Sequence, residues 1–79
     1  MTLTMYGATW CKDCRRASAH LANLGVDYTY VDLVADPDRA AEAEAASGRT
    51  NIPVLVFGDG TVLVEPTNAE IDEALAAQA

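Results

Sequence analysis

The stretch "ATWCKDCRRASAHL", residues 8–21, holds both cysteines of the chain, Cys11 and Cys14, and three of its five basic residues. A short apolar run, residues 3–6, precedes it and predicts a strand. Beyond the cysteines, apolar residues recur at helical spacing as far as Leu24, before a glycine typical of a helix end. We therefore predict a helix from Cys11 to Leu24. It would place the two thiols within one turn of each other, where a disulfide can form and open again.

The predicted helix has one apolar face. Ala17, Leu21 and Leu24 recur at helical spacing, with Cys14 and Ser18 on the same side. Such a stripe predicts the side that packs against the rest of the fold.

The middle of the chain predicts a second strand and a second helix. Residues 27–33, "DYTYVDL", are rich in aromatic and β-branched residues and predict the strand. Asp36 and Pro37 predict the helix start, because Asp caps free N–H groups and Pro is tolerated at the first helical position. We expect this helix to end at Gly48.

The last third of the chain predicts a hairpin and a helix. Residues 53–65, "PVLVFGDGTVLVE", contain two apolar segments around a Gly-Asp-Gly turn. Thr67 and Glu70 have the spacing of a reciprocal capping box at the start of the final helix. The buried stripe of that helix would consist of Ile71, Ala74 and Leu75.

These elements predict an α/β fold with the order β-α-β-α-β-β-α. The first strand–helix–strand unit would form a right-handed parallel crossover, and the hairpin would add antiparallel strands. We therefore expect a small, four-stranded mixed sheet with helices on both faces.

Length and composition limit what the chain can be. Seventy-nine residues, 51% of them hydrophobic, predict a single globular domain over residues 1–79. A formal net charge of -7 disfavours nucleic acid and anionic membranes as partners. The sequence shows neither a run of about 18 apolar residues nor a secretion signal, so we expect a cytoplasmic protein without a membrane span. In the cytosol, a cysteine pair does not predict a permanent structural disulfide.

Cys11 is the candidate reactive cysteine of the pair. Free N–H groups at a helix start carry partial positive charge, which favours a thiolate over a thiol. Lys12, Arg15 and Arg16 add positive charge nearby. Asp13 opposes that effect. The sequence therefore predicts a redox dithiol in which Cys11 is ionised, as in other reactive CxxC pairs.

Other interpretations of the two cysteines stay open. A structural disulfide would close a loop so short that it would add little stability. A zinc site within one chain needs four ligands, and His20 lies six residues beyond Cys14, off the same helical turn. We expect His20 at the surface or at a boundary between elements. A metal or iron–sulfur cluster shared between two chains, or a non-catalytic adaptor, would be a different class of function.

Ile52 and Pro53 give a second signal, within "RTNIPVLVF" (residues 49–57). A proline immediately before an apolar strand must start the strand or lie at an edge, because it cannot donate to the ladder. The peptide bond before it can be trans or cis, and the residues alone leave the isomer open.

Taken together, "TWCKDC", "IPVLVF" and the closing "GDGTVLVEPTNAEIDEAL" resemble the glutaredoxin group of the thioredoxin superfamily. The resemblance spans nearly the whole chain. It implies a compact thioredoxin fold and a thiol-disulfide oxidoreductase that requires no bound organic cofactor and no metal.

The resemblance also implies roles for individual residues. Cys11 matches the nucleophile that attacks a disulfide, and Cys14 matches the thiol that resolves the mixed disulfide. Pro53 matches a cis-proline that faces the cysteines, and the backbone of Ile52 would pair with a bound thiol peptide. Trp10 could pack under the active-site loop or contact substrate. The expected groove comprises Trp10, Lys12, Arg49, Thr50, Ile52, Pro53, Thr67 and Asn68. Within it, the Arg49 side chain could meet a carboxylate of the partner.

The sequence differs from the glutathione-using glutaredoxins at positions that bear on which small thiol reduces the protein. Those proteins carry a Gly-Gly pair and an acidic residue after the last strand, where glutathione docks, whereas residues 64–71 here are "VEPTNAEI". Lys12 and Asp13 replace the aromatic residue that is frequent inside their CxxC motif. The closing segment is more similar to the mycoredoxins, which use mycothiol as co-substrate.

The sequence also resembles a second type of glutaredoxin-like protein, which takes its electrons from another source. It is the redoxin that donates electrons to ribonucleotide reductase and is itself reduced by thioredoxin reductase. The resemblance therefore implies oxidised or mycothiolated proteins as partners, with mycothiol or thioredoxin reductase as the electron source. We expect the protein to act as a monomer.

Overall fold

The computed structural model describes residues 1–78 and contains four strands. The strands are β1 (Leu3–Gly7), β2 (Thr29–Asp32), β3 (Val54–Phe57) and β4 (Val62–Val64). They form one sheet in the order β2-β1-β3-β4. β1 is parallel to β2 and antiparallel to β3, and β3 is antiparallel to β4. The predicted four-stranded mixed sheet is confirmed.

Three α-helices connect and follow these strands. They are α1 (Lys12–Asn23), α2 (Ala40–Ser47) and α3 (Asn68–Ala77), and a single 3₁₀ turn, Pro37–Arg39, leads into α2. The predicted order β-α-β-α-β-β-α is therefore confirmed. Within residues 1–78, no helix has the length and apolar character that crossing a bilayer requires.

The sheet carries a separate apolar cluster on each face, because side chains alternate along a strand. Leu3 and Met5 of β1 lie in the cluster that contains buried residues of α1 and α3. Tyr6 follows Met5 in β1, so its side chain points to the other face of the sheet. There it lies in the second cluster, together with Ala43 of α2. Helices therefore cover both faces, as predicted. Cys11 and Cys14 belong to the cluster under α1 and α3.

Two of the predicted helix ends are confirmed, the end of α2 and the start of α3. Gly48 ends α2 with a left-handed φ of 74°. At the start of α3, the Thr67 hydroxyl oxygen accepts from the Glu70 backbone N–H at 3.1 Å. The Thr67 backbone N–H in turn donates to the Glu70 carboxylate at 2.9 Å, which completes the capping box. Ile71 is fully buried, and Ala74 and Leu75 are partly buried against the same cluster.

The predicted cap at Asp36 is wrong. The first helical residue is Pro37, as expected, but the Asp36 side chain makes no capping hydrogen bond. Its φ of -134° and ψ of 65° lie outside the extended region that N-cap residues usually adopt. The first turn is also 3₁₀ rather than α, so the free N–H groups are arranged differently.

Two other boundaries differ from the prediction. β2 is shorter than residues 27–33, because its pairing with β1 runs only from Thr29 to Asp32. The Leu24 side chain, expected on the apolar stripe of α1, is 49% exposed. Leu24 follows the last helical residue, and Gly25 turns the chain with a φ of 69°. The buried stripe therefore ends at Leu21.

Candidate active site

Cys11 is the N-cap residue of α1. Its backbone is extended, with φ -82° and ψ 115°, and its sulfur accepts a hydrogen bond from the Cys14 backbone N–H at 3.2 Å. A side chain that accepts from the third residue of the helix satisfies one of the free N–H groups there. The predicted positions of Cys11 at the helix start and Cys14 within the first turn are confirmed. Both carry free thiols.

The two sulfur atoms lie in different environments. Cys11 is 9% exposed, whereas Cys14 is 1% exposed and lies inside the cluster under α1. Burial, followed by the hydrogen bond with Cys11, raises the pKa of Cys14 to about 12. Cys14 is therefore a protonated thiol at neutral pH, and Cys11 is the sulfur closer to solvent.

The segment before β3 lies next to Cys11. The Ile52 carbonyl oxygen is 4.0 Å from the Cys11 sulfur, a weak hydrogen-bond distance for a thiol. The Ile52–Pro53 peptide bond is cis, the isomer that the resemblance implied. Pro53 is buried, and its carbonyl oxygen accepts from the Glu65 backbone N–H at 2.9 Å. The structure thus brings together the two signals that are about forty residues apart in the sequence.

Two of the basic residues near the thiols make structural hydrogen bonds. Arg15 donates to the Thr9 carbonyl at 2.8 Å, in the loop before Cys11. Arg16 donates to the Asn68 side-chain oxygen at 2.7 Å and to the Pro66 carbonyl at 2.8 Å. The sequence argument gave these residues only an electrostatic effect on Cys11. Their guanidinium groups also fix the loop before the helix and join α1 to the start of α3.

The remaining residues of the expected groove occupy three segments. Trp10 is 72% exposed beside Cys11, so it does not pack under the active-site loop. Lys12 is exposed at the first position of α1. Arg49 and Thr50 are exposed in the loop before Ile52, where they line a small cavity of about 60 Å³.

Thr67 and Asn68 lie at the start of α3, and their side-chain oxygens are already engaged. The Thr67 hydroxyl belongs to the capping box, and the Asn68 oxygen accepts from Arg16. Arg16 therefore sets the position of this segment relative to α1.

His20 lies at the boundary between α1 and α3, as expected. Its Nε2 is 2.7 Å from an Asp72 carboxylate oxygen. Within residues 1–78, no group of three or more His, Cys, Asp or Glu side chains is placed to hold a metal ion.

Gly7 and Tyr30 are residues that the sequence argument did not connect with the thiols. A Cβ on Gly7 would lie 3.1 Å from both the Cys14 sulfur and the Tyr30 hydroxyl oxygen. The missing side chain therefore allows Cys14 and Tyr30 to approach the end of β1. Burial is the main cause that raises the pKa of Tyr30, and the negative charge of a Cys14 thiolate would act in the same direction. No local pattern could have revealed this contact, because it depends on the pairing of β1 with β2.

Known proteins resemble the chain in sequence and in structure. The glutaredoxin family model matches residues 3–62. A Mycobacterium tuberculosis H37Rv protein with a provisional glutaredoxin name is 32% identical over 76 residues, covering 92% of this chain and 88% of that protein. The glutaredoxin structure from Archaeoglobus fulgidus superimposes with a TM-score of 0.82 at 23% identity, covering 92% of this chain and 84% of that one. The glutaredoxin-like NrdH-redoxin of Escherichia coli gives a TM-score of 0.76 at 27% identity, covering 92% and 93%. With its thioredoxin fold, the chain therefore belongs to the glutaredoxin family of thiol-disulfide oxidoreductases.

Proposed function

We propose that this glutaredoxin reduces protein disulfides and mixed disulfides between proteins and a low-molecular-weight thiol. Cys11 is the attacking thiolate and Cys14 is the resolving thiol. The observation that best supports these roles is the unequal environment of the pair. The Cys11 sulfur accepts an N–H at the start of α1, where partial positive charge favours a thiolate. Cys14 is almost fully buried and protonated.

The route for a mixed disulfide needs Cys11 alone. The Cys11 thiolate attacks the sulfur of the small thiol, and a bond to Cys11 forms as the bond to the protein substrate breaks. The repaired protein leaves as a thiolate and takes a proton from solvent. A second small thiol, as its thiolate, then attacks the mixed disulfide on Cys11. It releases the small-thiol disulfide and restores the Cys11 thiolate.

The route for a protein disulfide needs both cysteines. Cys11 attacks one substrate sulfur and forms a mixed disulfide with the substrate. Cys14 then loses its proton to solvent and attacks the Cys11 sulfur, which releases the substrate as a dithiol. The substrate gains two electrons, and the enzyme is left with a Cys11–Cys14 disulfide.

Substrates are proposed to dock across the segments around Cys11. The Ile52 carbonyl lies 4.0 Å from the reacting sulfur, so this backbone is suited to pair with an extended thiol peptide. Lys12 and Arg49 are exposed basic residues on an acidic chain and would attract a carboxylate of the partner. The other contacts of the proposed groove come from Trp10, Thr50, Thr67 and Asn68.

Mycothiol is the proposed small thiol. The closing segment resembles the mycoredoxins, and residues 64–71 lack the glycine pair at which glutathione docks in glutathione-using members. Mycothiolated proteins would then be the substrates. We place the reaction in the cytoplasm, with the enzyme acting as a monomer.

Direct reduction by thioredoxin reductase is the second candidate. The likeness to NrdH-redoxin favours it, since that protein is described as having a thioredoxin-like activity profile and shares 27% identity. In this case the Cys11–Cys14 disulfide itself would accept electrons from the reductase.

The test is NADPH consumption during reduction of a mycothiolated protein. Three electron sources are compared in parallel: mycothiol with its reductase, glutathione with its reductase, and thioredoxin reductase alone. Cys11→Ser serves as the inactive control. Cys14→Ser separates the two routes, because it should retain the mixed-disulfide route and lose the protein-disulfide route.

Each outcome decides between the candidates. Turnover with mycothiol alone supports the proposal, and turnover with thioredoxin reductase alone supports the second candidate. Turnover with glutathione alone would contradict both. If no source supports turnover and Cys11→Ser equals the wild type, the redox role of the cysteines is wrong.

A further inference from the structure

Cys14 faces a chemical difficulty in its proposed role. A thiol attacks a disulfide as its thiolate, and a thiolate of high pKa is also a slow leaving group. Cys14 is buried, and its pKa is raised to about 12. Both the closing and the opening of a Cys11–Cys14 disulfide therefore require a neighbour that stabilises negative charge on the Cys14 sulfur.

The surroundings of Cys14 contain few groups able to do this. On α1, Asp13 repels a thiolate and Cys11 carries the other reacting sulfur. Arg15 lines an open groove together with Cys14, but it donates to the Thr9 carbonyl. The Ala8 backbone lies within hydrogen-bonding range of Cys14 and favours its thiolate. The remaining O–H donor that faces Cys14 from the sheet is Tyr30.

Tyr30 is placed for this task by Gly7. Its hydroxyl oxygen and the Cys14 sulfur both lie 3.1 Å from the point where Gly7 would carry a Cβ, so they border the same small space. Within residues 1–78, the Tyr30 hydroxyl has no hydrogen-bond partner. By contrast, the Tyr28 hydroxyl, on the same side of the sheet, is bonded to Ser18 at 2.5 Å. The Tyr30 hydroxyl is therefore available to a charged sulfur.

An open groove connects the pair with solvent. Tyr30 and Cys14 line it together with Thr9, Arg15 and Ser18, and its volume is about 390 Å³. Water in this groove offers a path for the proton that Cys14 must lose or regain.

We propose that the Tyr30 hydroxyl donates a hydrogen bond to the Cys14 sulfur whenever that sulfur becomes a thiolate, and so speeds both closing and opening of the disulfide. This inference rests on the proposed function, in which Cys14 resolves the mixed disulfide. During closing, the Cys14 proton passes to solvent, the Cys14–Cys11 bond forms, and the bond between Cys11 and the substrate breaks. During opening, an incoming thiolate attacks Cys11, and Cys14 leaves as a thiolate that takes a proton from solvent. Tyr30 keeps its own proton throughout.

The test follows the two thiols separately with dithiobis(nitrobenzoate) under rapid mixing. Attack by Cys11 releases the first coloured thionitrobenzoate, and attack by Cys14 on the resulting mixed disulfide releases the second. We expect Tyr30→Phe to slow the second release roughly tenfold, as for loss of one hydrogen bond to a charged group, and to leave the first unchanged. Tyr28→Phe is the matched control and should leave both rates unchanged.

The rate at which the Cys11–Cys14 disulfide is reduced separates this role of Tyr30 from a merely structural one. Reduction of the Cys11–Cys14 disulfide by dithiothreitol should slow by about the same factor in Tyr30→Phe. Because both directions then change together, the equilibrium constant with dithiothreitol should stay unchanged. An unchanged second release, or an equal slowing of both releases, would overturn the role of Tyr30.

Failure of the proposed function gives a different result. If intact-mass spectrometry shows that wild-type protein retains thionitrobenzoate on both cysteines instead of closing the Cys11–Cys14 disulfide, Cys14 does not resolve the mixed disulfide, and both proposals are wrong. If the wild type closes the Cys11–Cys14 disulfide without bound thionitrobenzoate while Tyr30→Phe equals the wild type in both rates, the function stands and the inference about Tyr30 alone is wrong.

Discussion

Among the individual residues, the chemistry of the site depends on two sulfur atoms three residues apart. Both lie in the cluster under α1 and α3, but Cys11 takes the N-cap position and accepts a backbone N–H, whereas Cys14 is the more deeply buried of the two. The same helix turn therefore holds two cysteines that differ in burial, Cys11 at 9% exposed and Cys14 at 1%. This difference supports the separate roles proposed for the two thiols in disulfide exchange.

Alkylation should show the difference directly. In the reduced, folded protein at neutral pH, we expect iodoacetamide to modify Cys11 while Cys14 stays free. Burial raises the pKa of Cys14 to about 12, so its thiolate becomes abundant only as the pH approaches that value. Peptide mass spectrometry over time measures both sites. In urea-unfolded protein the two should react alike, and equal rates in the folded protein would contradict the assignment.

A side chain at Gly7, the last residue of β1, would crowd its neighbours. In Gly7→Ala, the new Cβ would stand 3.1 Å from the Cys14 sulfur and from the Tyr30 hydroxyl. Overpacking of this kind should lower the free energy of unfolding by about 1–3 kcal/mol, as measured by urea denaturation. Gly58→Ala is the matched control, because its Cβ would meet the Thr2 side chain near the N-terminus. Equal losses in both variants would argue against tight packing at Gly7.

At the scale of the elements, the start of α3 is fixed from two directions. Within the helix, Thr67 and Glu70 cap each other. From α1, Arg16 donates to the Pro66 carbonyl and the Asn68 side chain. These contacts keep the segment that contains Thr67 and Asn68 in a defined position relative to the cysteine helix, which a docking groove requires.

Removing the cap should destabilise α3. Thr67→Ala deletes the oxygen that accepts the Glu70 backbone N–H, and we expect a loss of about 1 kcal/mol in the free energy of unfolding. Thr50→Ala is the control, since Thr50 is exposed in a loop outside any helix cap. Urea denaturation of both variants measures the effect. A loss in Thr67→Ala no larger than that in Thr50→Ala would contradict the capping role.

Replacement by lysine should destabilise the protein more at Arg16 than at Arg15. Arg16 donates to two acceptors through separate nitrogens, which a lysine ammonium cannot match in the same geometry. Arg16→Lys should therefore cost about 1 kcal/mol of unfolding free energy. Arg15 uses one nitrogen for one carbonyl, so Arg15→Lys should cost clearly less. The reverse order of the two losses would show that Arg16 does not join α1 to α3.

For the whole molecule, the positive charge is divided between structure and surface. Arg15 and Arg16 are hydrogen-bonded near the site, and Arg39 pairs with Glu42. Lys12 and Arg49 are exposed, Lys12 next to Cys11 in the sequence and Arg49 in the loop before Ile52. In a protein with a net charge of -7, these two residues are the basic groups best placed to meet an acidic partner.

Much of the fold could be predicted because its signals are local. Gly48, the capping box at Thr67 and the apolar spacing after Cys11 each depend on residues within one or two turns. The hydrogen bond between Arg16 and Asn68 joins residues 52 positions apart. The closeness of the Tyr30 hydroxyl to Gly7 depends on the register in which β1 and β2 pair. Neither leaves a periodic trace in the sequence, so only the folded chain reveals them.

The central claim is that Cys11 forms the mixed disulfide and Cys14 resolves it. The most direct measurement is intact-mass and peptide mass spectrometry of Cys14→Ser after reaction with an oxidised protein substrate. We predict a stable adduct linked to Cys11, whereas the wild type should release the substrate and retain a Cys11–Cys14 disulfide. Failure of Cys14→Ser to accumulate an adduct on Cys11, under conditions in which the wild type reduces the substrate, would contradict the account.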